Sequence, residues 1–292
     1  MTRIAGLAIA GLMVLCFAVP AAASENSKHD RDTLFATGLA PTAVVNGHRT
    51  LLSIDVKKGM TTVVGSASGS LAPTSLALAI IPGGKAAYTI AYSFNPTAAQ
   101  LARIDLATGA QTLVGRPIGA DLKIMGMTFS PDGILYAAGN FATGSPTFNS
   151  LYTIDLTTGA PTRIGSLGTG PTAMDYIMSL VFDSHGNMYG ASEMALYRIH
   201  LPKAEGGEKK AGQGGQALST QKVVGFIGSS LVMGIAIGDS GKFYVADFVA
   251  APTYSTIYRL DVETGFLTPL FNTGIANVHN IAFIPERGLI RD

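Results

Sequence analysis

The strongest constraint on the fold of this chain is a short phrase that recurs five times. Its clearest copy is Leu-Tyr-Thr-Ile-Asp-Leu-Thr-Thr-Gly, over residues 151–159. The residues that close the apolar part of the five copies are Asp55, Asp105, Asp155, His200 and Asp261. These anchors are 50, 50, 45 and 61 residues apart. A period near 50 residues is typical of a sheet unit repeated around an axis, because one such unit cannot bury its own apolar face.

A second phrase recurs between the anchors, and it consists of two apolar runs joined by a glycine turn. The joining turns are Pro131-Asp-Gly133, Ser184-His-Gly186 and Asp239-Ser-Gly241. Glycine adopts the positive φ of tight hairpin turns without steric cost, so each phrase predicts an antiparallel hairpin. The Thr-Gly pairs after the anchors predict the next hairpin in the same way. In the third copy, the four strands are expected at residues 125–130, 134–138, 150–156 and 161–165.

These units predict an all-β fold, a five-bladed β-propeller of four-stranded antiparallel blades, with six blades as the alternative. The first strand, at residues 33–37, has the pattern of a second strand, and the last, at 280–284, has the pattern of a first strand. We therefore expect the N- and C-terminal strands to pair and close the ring, which removes an exposed sheet edge. Helix content should be very low, because no sustained 3.6-residue apolar period occurs outside the N-terminal apolar run.

The N-terminal residues predict an exported protein, secreted or periplasmic. Arg3 precedes an apolar run over residues 4–19, and Pro-Ala-Ala-Ala-Ser follows, which is the pattern of a signal peptide cleaved after Ala23. We divide the chain into a signal peptide (1–23), a disordered mature N-terminus (24–32) and a single propeller domain (33–292) with a mobile, glycine-rich insertion (203–221). The one cysteine, Cys16, lies within the signal peptide, so the mature chain has no disulfide or thiolate chemistry.

The charge of the mature chain and the length of its apolar segments argue against two classes of partner. The sequence has 20 Lys and Arg, of which Arg3 is lost with the signal peptide, and 19 Asp and Glu, so 19 positive side chains face 19 negative ones. Without an excess of positive charge, the chain does not attract polyanions, and nucleic acid is not an expected partner. No membrane insertion is expected either, because no other apolar segment reaches the roughly 18 residues of a spanning helix.

The blade phrases resemble those of exported bacterial β-propellers, a superfamily that includes NHL-type and YVTN-type repeat proteins and the gluconolactonase/regucalcin group. The resemblance spans residues 33–284 and is carried chiefly by residues 131–138 and 239–247. It implies ligand binding at the mouth of the central channel and, in the lactonases, a divalent metal held there by Glu, Asn and Asp. Glu193, Asn140 and Asp247 follow the second strand of three successive blades, and such oxygen ligands suit Ca²⁺. Alternatively, these three residues bind no metal and are polar only because loop residues contact water.

The mouth should be formed by the loops that enter each first strand and leave each second strand. The polar candidates in the entering loops are Asp121, Lys123, Asp175, Tyr176, Asn277 and His279, and from these we select Asp121, Asp175, Tyr176 and His279 as the ligand-binding mouth. His279 is a candidate general base or zinc ligand, or else a hydrogen-bonded structural residue. The repeated aspartates lie away from the mouth, before Thr-Gly turns, where an Asp side chain caps the backbone N–H groups of the turn.

The sequence leaves three functions open. The first is a non-catalytic binding or interaction module that takes an unknown protein or small molecule at the mouth, with no cofactor. The second is a divalent-metal-dependent lactonase or hydrolase of the gluconolactonase type, for which Ca²⁺ is the expected ion. The third is an extracellular structural scaffold assembled through blade edges. The sequence contains no Gly-x-Ser-x-Gly elbow, phosphate loop or His-Glu-x-x-His motif, so no catalytic residue is assigned.

Overall fold

The residues that the structure describes form five four-stranded antiparallel sheets. The computed structural model describes residues 33–39, 48–66, 71–72, 74–92, 98–119, 122–139, 147–168, 176–202, 217–228, 231–249 and 253–285. In these ranges the strands are β1 (Thr33–Leu39), β2 (Arg49–Asp55), β3 (Met60–Val64), β4 (Ala79–Ile80), β5 (Ala87–Ala91), β6 (Gln100–Ile104), β7 (Gln111–Pro117), β8 (Ile124–Phe129), β9 (Leu135–Gly139), β10 (Ser150–Ile154), β11 (Pro161–Ser166), β12 (Ser179–Phe182), β13 (Met188–Ala191), β14 (Ala195–His200), β15 (Ser219–Gly225), β16 (Val232–Ile237), β17 (Phe243–Asp247), β18 (Thr256–Leu260), β19 (Leu267–Asn272) and β20 (His279–Phe283).

The sheets are the blades of a five-bladed β-propeller. Their strand orders, from the axis outward, are β20-β1-β2-β3, β4-β5-β6-β7, β8-β9-β10-β11, β12-β13-β14-β15 and β16-β17-β18-β19. The inner strands contact one another in the order β20, β4, β8, β12, β16 and back to β20, which completes the ring. The prediction of five blades is therefore confirmed, and the alternative of six is excluded.

The ring closes where the two ends of the chain meet. Strand β20 pairs antiparallel with β1, so that Leu34 lies opposite Phe283 and Phe35 lies opposite Ala282. Strand β1 pairs on its other side with β2 over seven residues. The first blade is thus built from strands at both ends of the chain, as predicted from their sequence patterns. The hydrogen bonds between β1 and β20 close the ring.

Apolar side chains fill the spaces between neighbouring blades. One cluster joins blades two and three, with Ile90, Leu101, Ile124 and Met127 each no more than 1% exposed. Equivalent clusters lie between each of the other four pairs of neighbouring blades. The outer strands β3, β7, β15 and β19 are largely exposed. Each blade therefore buries both faces of its inner strands against its neighbours, which a single blade cannot do.

Neighbouring blades also meet at their outer edges through turns. Gly115 in β7 has a φ of 69°, and a Cβ built on it would lie 1.8 Å from the carbonyl oxygen of Thr158 in the turn of the next blade. The N–H of Arg116 donates to that same oxygen at 3.3 Å. This close approach of two backbones requires glycine at position 115.

The local predictions from the sequence agree closely with the structure. The four strands of the third blade begin and end within two residues of the expected positions. Each repeated aspartate caps its turn: Asp155 Oδ1 accepts the N–H groups of Thr157 and Thr158 at 2.9 and 2.7 Å. Asp55, Asp105 and Asp261 make the same contacts. The backbone N–H of Thr158 is the main cause of the lowered pKa of Asp155.

Several predictions concern residues that lie wholly or partly outside the described ranges. The signal peptide (1–23), the segment 24–32 and residues 203–216 of the insertion lie outside the described residues, and these remain predictions. Residues 219–221, the end of the expected insertion, belong to β15. The described ranges contain no helix, as expected, and hence none that is long and apolar enough to cross a membrane.

Candidate functional site

The central axis of the propeller is occupied by the side chain of Asn280, at the start of β20. Its Nδ2 donates to the carbonyl oxygens of Met125 at 2.7 Å, Met178 at 3.3 Å and Leu76 at 3.5 Å, which belong to three other blades. Its Oδ1 accepts a hydrogen bond from the hydroxyl of Ser179 at 2.9 Å. One amide thus connects the inner strands of four blades and blocks the centre of the ring.

Small residues let the inner strands come close enough for this contact. A Cβ on Gly126 would lie 2.8 Å from the Cα of Ser179. The hydroxyl of Ser179 also accepts the backbone N–H of Ile235 at 3.1 Å. Alignment of the repeats places Gly126, Ser179 and Asn280 at equivalent positions, so this column marks where the inner strands approach one another closely.

An apolar ring lies one residue nearer the mouth. It consists of Leu76, Met125, Met178 and Met233, which pack together with Tyr176. In the first blade the equivalent residue is His279, and its ring meets that of Phe248 edge-on, with 5.0 Å between centroids. Half-buried Phe148, Leu231 and Phe248 pack against the ring from the mouth side. The floor of the mouth is therefore apolar except at His279.

A buried cationic side chain lies beside His279. Arg49, the first residue of β2, is 4% exposed, and its Nη2 donates to the carbonyl oxygens of Thr37, at 3.0 Å, and of Asn277. Its Nε has no hydrogen-bond partner, and the same is true of Nδ1 of His279 and Oδ1 of Asn277. Three polar atoms from the entries to β2 and β20 are thus buried without partners at one side of the mouth.

The electrostatics of this cluster are those of an uncompensated positive charge. Burial lowers the pKa of Arg49 to about 9. Burial, and then the positive charge of Arg49, hold the pKa of His279 well below its usual value, so that this histidine is neutral at pH 7. No carboxylate among the described residues forms an ion pair with Arg49. A buried arginine normally has such a partner, because desolvation of an unpaired charge costs several kcal/mol.

The three predicted metal ligands have different surroundings. Asp247, at the end of β17, is 6% exposed, and its Oδ1 accepts the N–H of Thr256 at 2.7 Å while its Oδ2 accepts the hydroxyl of Tyr258 at 2.8 Å. Burial and the hydrogen bond to Asp247 raise the pKa of Tyr258 to about 12. Glu193 is half-buried, and burial raises its pKa. Asn140 lies outside the described residues.

The described residues hold no group of three or more His, Cys, Asp or Glu side chains that could bind a metal. Both carboxylate oxygens of Asp247 are used to join β17 to β18, which is a structural role. The metal set of Glu193, Asn140 and Asp247 stays a prediction.

The other predicted mouth residues are placed as follows. Tyr176 is fully buried in the apolar ring, and its hydroxyl donates to the carbonyl oxygen of Lys123 at 3.2 Å. Its phenol ring lies 5.7 Å from that of Phe148. Asp121 and Asp175 lie outside the described residues. Of the ligand-binding mouth expected from the sequence, Tyr176 and His279 are thus at the axis, and Tyr176 packs there as a core residue.

Arg49 was not singled out in the sequence. At the equivalent position the other blades have Ala99, Asn149, Met194 and Ser255. Only the first repeat has a charged residue at this position, and this difference could have identified Arg49 as a candidate. The burial of that arginine, however, depends on how β20 packs beside β2.

Comparisons with known proteins were made for the whole chain. No family model matches it, and no curated protein matches it in sequence. Among solved structures, the chain is similar to a protein of unknown function from Bacteroides thetaiotaomicron, with a TM-score of 0.52 and 16% identity over 88% of this chain and 62% of that one. The shared architecture is the β-propeller. This propeller therefore spans less than two thirds of the Bacteroides protein.

Two other solved structures are similar to the chain at lower TM-scores. A gluconolactonase from Xanthomonas campestris has a TM-score of 0.48 and 14% identity, over 86% of this chain and 80% of that one. TolB from Acinetobacter baumannii has a TM-score of 0.47 and 17% identity, over 83% of this chain and 54% of that one. At such identities the likeness concerns the fold and not an activity.

Proposed function

We propose that this propeller is a non-catalytic binding module that takes a protein or a small molecule at its mouth. The observation that carries the proposal is the buried guanidinium of Arg49, whose Nε has no partner and which no carboxylate of the described residues neutralises. Such a group costs free energy in the unliganded protein. A ligand that pairs with it offsets this cost on binding, so the unpaired charge favours binding at this position.

The apolar ring also supports ligand binding at the mouth. It is closed below by Asn280, so a ligand at the mouth meets a floor and not an open channel. Phe148 and Phe248 are half-buried at its rim, where Phe148 contacts Tyr176 and Phe248 contacts His279. Concave sites with an apolar lining and a few polar groups are the usual form of small-molecule sites.

Binding should be tested with a mouth variant and a matched outer variant. Phe248→Ala removes an aromatic ring at the mouth, whereas Phe266→Ala removes one from an outer turn, where it is 58% exposed. Thermal-shift and calorimetric titrations with a panel of small organic acids, neutral sugars and peptides should identify ligands of the wild-type protein. Their affinity should fall in Phe248→Ala and stay unchanged in Phe266→Ala. Ligands that bind both variants equally would place the site elsewhere.

The rival function is a Ca²⁺-dependent lactonase that uses Glu193, Asn140 and Asp247. Glu193 favours it, because this half-buried residue lies at the entry to blade five, where its backbone oxygen accepts the N–H of Val232 at 3.2 Å. The engaged oxygens of Asp247 argue against it. A Ca²⁺ titration decides: a metal enzyme gains stability as RT ln(1 + [L]/Kd), whereas a binding module of the first kind shows a flat melting temperature.

An extracellular scaffold is the second rival. The outer strands expose Met60, Leu113, Val223 and Leu270, one on each of four blades. Association through these strands would appear as concentration-dependent mass in sedimentation velocity, and a monomer at all concentrations would exclude it. Export through the predicted signal peptide is part of all three proposals.

A further inference from the structure

The chemistry of the three unpaired atoms restricts the ligand that the mouth takes. The Nε–H of Arg49 is a cationic donor, Nδ1 of His279 is a second donor in its Nδ1–H tautomer, and Oδ1 of Asn277 is an acceptor. Nη2 of Arg49 is already engaged by the carbonyls of Thr37 and Asn277, which fixes the orientation of the guanidinium plane. The protein therefore fixes the position of the guanidinium, while three polar atoms of the cluster lack hydrogen-bond partners.

The missing partner has to be an anion. Arg49 is the charged group that acts on His279, and among the described residues no acidic group contributes to the pKa of either one. A charge-assisted hydrogen bond from a buried guanidinium is about twice as strong as a neutral one. A neutral acceptor would satisfy Nε but would leave the charge uncompensated.

We propose that Arg49, Asn277 and His279 form a binding site for the carboxylate of a small organic acid, an inference that rests on the mouth being the binding surface. Two free N–H donors match the two oxygens of one carboxylate, whereas a phosphate has further oxygen atoms that they leave unpaired. Oδ1 of Asn277 accepts a hydrogen bond from a neighbouring N–H or O–H of the ligand or of a bound water. The apolar ring next to His279 takes the hydrocarbon part of the acid, with Phe248 beside it.

The charge requirement is tested with two probes of the same shape. Benzoate and benzamide differ in charge and share the aromatic ring, so we expect the wild-type protein to bind benzoate at least about tenfold more tightly, since a hydrogen bond to a charged group contributes that much. Arg49→Gln should remove this preference, because it weakens the binding of benzoate more than that of benzamide. The control Lys222→Gln removes an exposed cation from the outer strand β15 and should keep the preference. Inorganic phosphate should not compete with benzoate.

A direct measurement avoids dependence on the stability of the Arg49 variant. In ¹H–¹⁵N spectra of the wild-type protein, the Nε–H resonance of Arg49 should move downfield as benzoate is added and stay in place with benzamide. Arg49→Lys, which keeps a positive charge, serves to assign that resonance. An Nε–H that does not move at saturating benzoate overturns the carboxylate site.

The outcomes separate this inference from the proposed function. If both probes bind equally and Phe248→Ala weakens both, the mouth binds ligands but the carboxylate site is wrong. If benzoate is preferred and the preference is lost in Arg49→Gln, both are supported. If neither Phe248→Ala nor Arg49→Gln weakens any probe, both are wrong. If phosphate competes as well as benzoate, the site takes anions without selecting a carboxylate, and the inference fails in that form.

Discussion

Asn280 donates a hydrogen bond from Nδ2 to the carbonyl oxygen of Met125 at 2.7 Å, across 155 positions of the sequence. The asparagine adopts a φ of 35°, which is uncommon for a residue with a side chain. Its position in the last strand means that the axial contact forms only when the chain end returns to the ring. Closure of the propeller and sealing of its channel therefore depend on the same strand, β20.

Replacement of this asparagine should destabilise the whole ring. Asn280→Ala removes the amide donor from the buried carbonyl oxygens of Met125 and Met178, whereas that of Leu76 keeps the hydroxyl of Thr37, and we expect a cost of about 3 kcal/mol in the free energy of unfolding. Urea unfolding measures the change. Asn272→Ala, which removes an exposed amide bonded to the carbonyl oxygen of Tyr254, should cost less than about 1 kcal/mol. Equal losses in the two variants would contradict the axial role.

The seam between the chain ends can be tested with two phenylalanines. Phe283 is 9% exposed in β20 and meets the ring of Tyr244 at 5.3 Å, so Phe283→Ala should lower the free energy of unfolding by about 3 kcal/mol or more. Phe266, at 58% exposure, supplies the control, and Phe266→Ala should stay within about 0.5 kcal/mol of the wild type. Circular dichroism during denaturation gives both values. A small effect at Phe283 would mean that the seam contributes little to stability.

The contact between blades two and three is tested with two glycines of similar backbone conformation. Gly115 and Gly133 have φ values of 69° and 84°, so alanine introduces backbone strain at both. A Cβ meets the Thr158 oxygen at 1.8 Å in Gly115→Ala, whereas nothing lies within 4 Å in Gly133→Ala. We therefore expect a clearly larger fall in melting temperature for Gly115→Ala. Similar falls would show that strain alone accounts for both.

Stability should depend on pH through His279. Because the folded protein holds the pKa of this histidine well below 6.5, the unfolded chain binds the proton first as pH falls. The free energy of unfolding should be unaffected by His279 above about pH 7 and should drop by up to about 1.4 kcal/mol per unit below about pH 6.5. His279→Gln should remove that slope between pH 6.5 and about 4.5, whereas His185→Gln, at an exposed turn, should keep it. Chemical denaturation across this range shows whether the slopes of the wild type and His279→Gln differ.

The architecture could be predicted from the sequence because the residues that specify its turns and strands act over only a few positions. Each tight turn needs glycine at positive φ, and Gly133, Gly186 and Gly241 adopt φ of 84°, 78° and 73°. A capping Asp before a Thr-Gly turn likewise acts within three residues. Repetition of these signals at a nearly constant period then predicts a ring, since each unit needs a neighbour to bury its apolar face.

The site could be predicted only in part. The equivalence of Leu76, Met125, Met178, Met233 and His279 is visible in the repeats, and these residues do surround the axis. The polar partners of the site are not visible in the same way. Arg49 begins a strand in the sequence, a place where a cation is commonly exposed, and no local pattern reports that it is buried.

The amino-acid sequence by itself determined the repeated unit and the pairing of the chain ends, because turn geometry and apolar alternation act over a few residues. It predicted five blades with six as the alternative, and the structure decided for five. Tertiary structure alone decided that Asn280 blocks the axis and that Arg49 lies buried without a carboxylate beside His279. Both features join residues more than 150 positions apart. The partners and the solvation of a polar group are set by whatever the fold places around it, and that environment is shared by several blades.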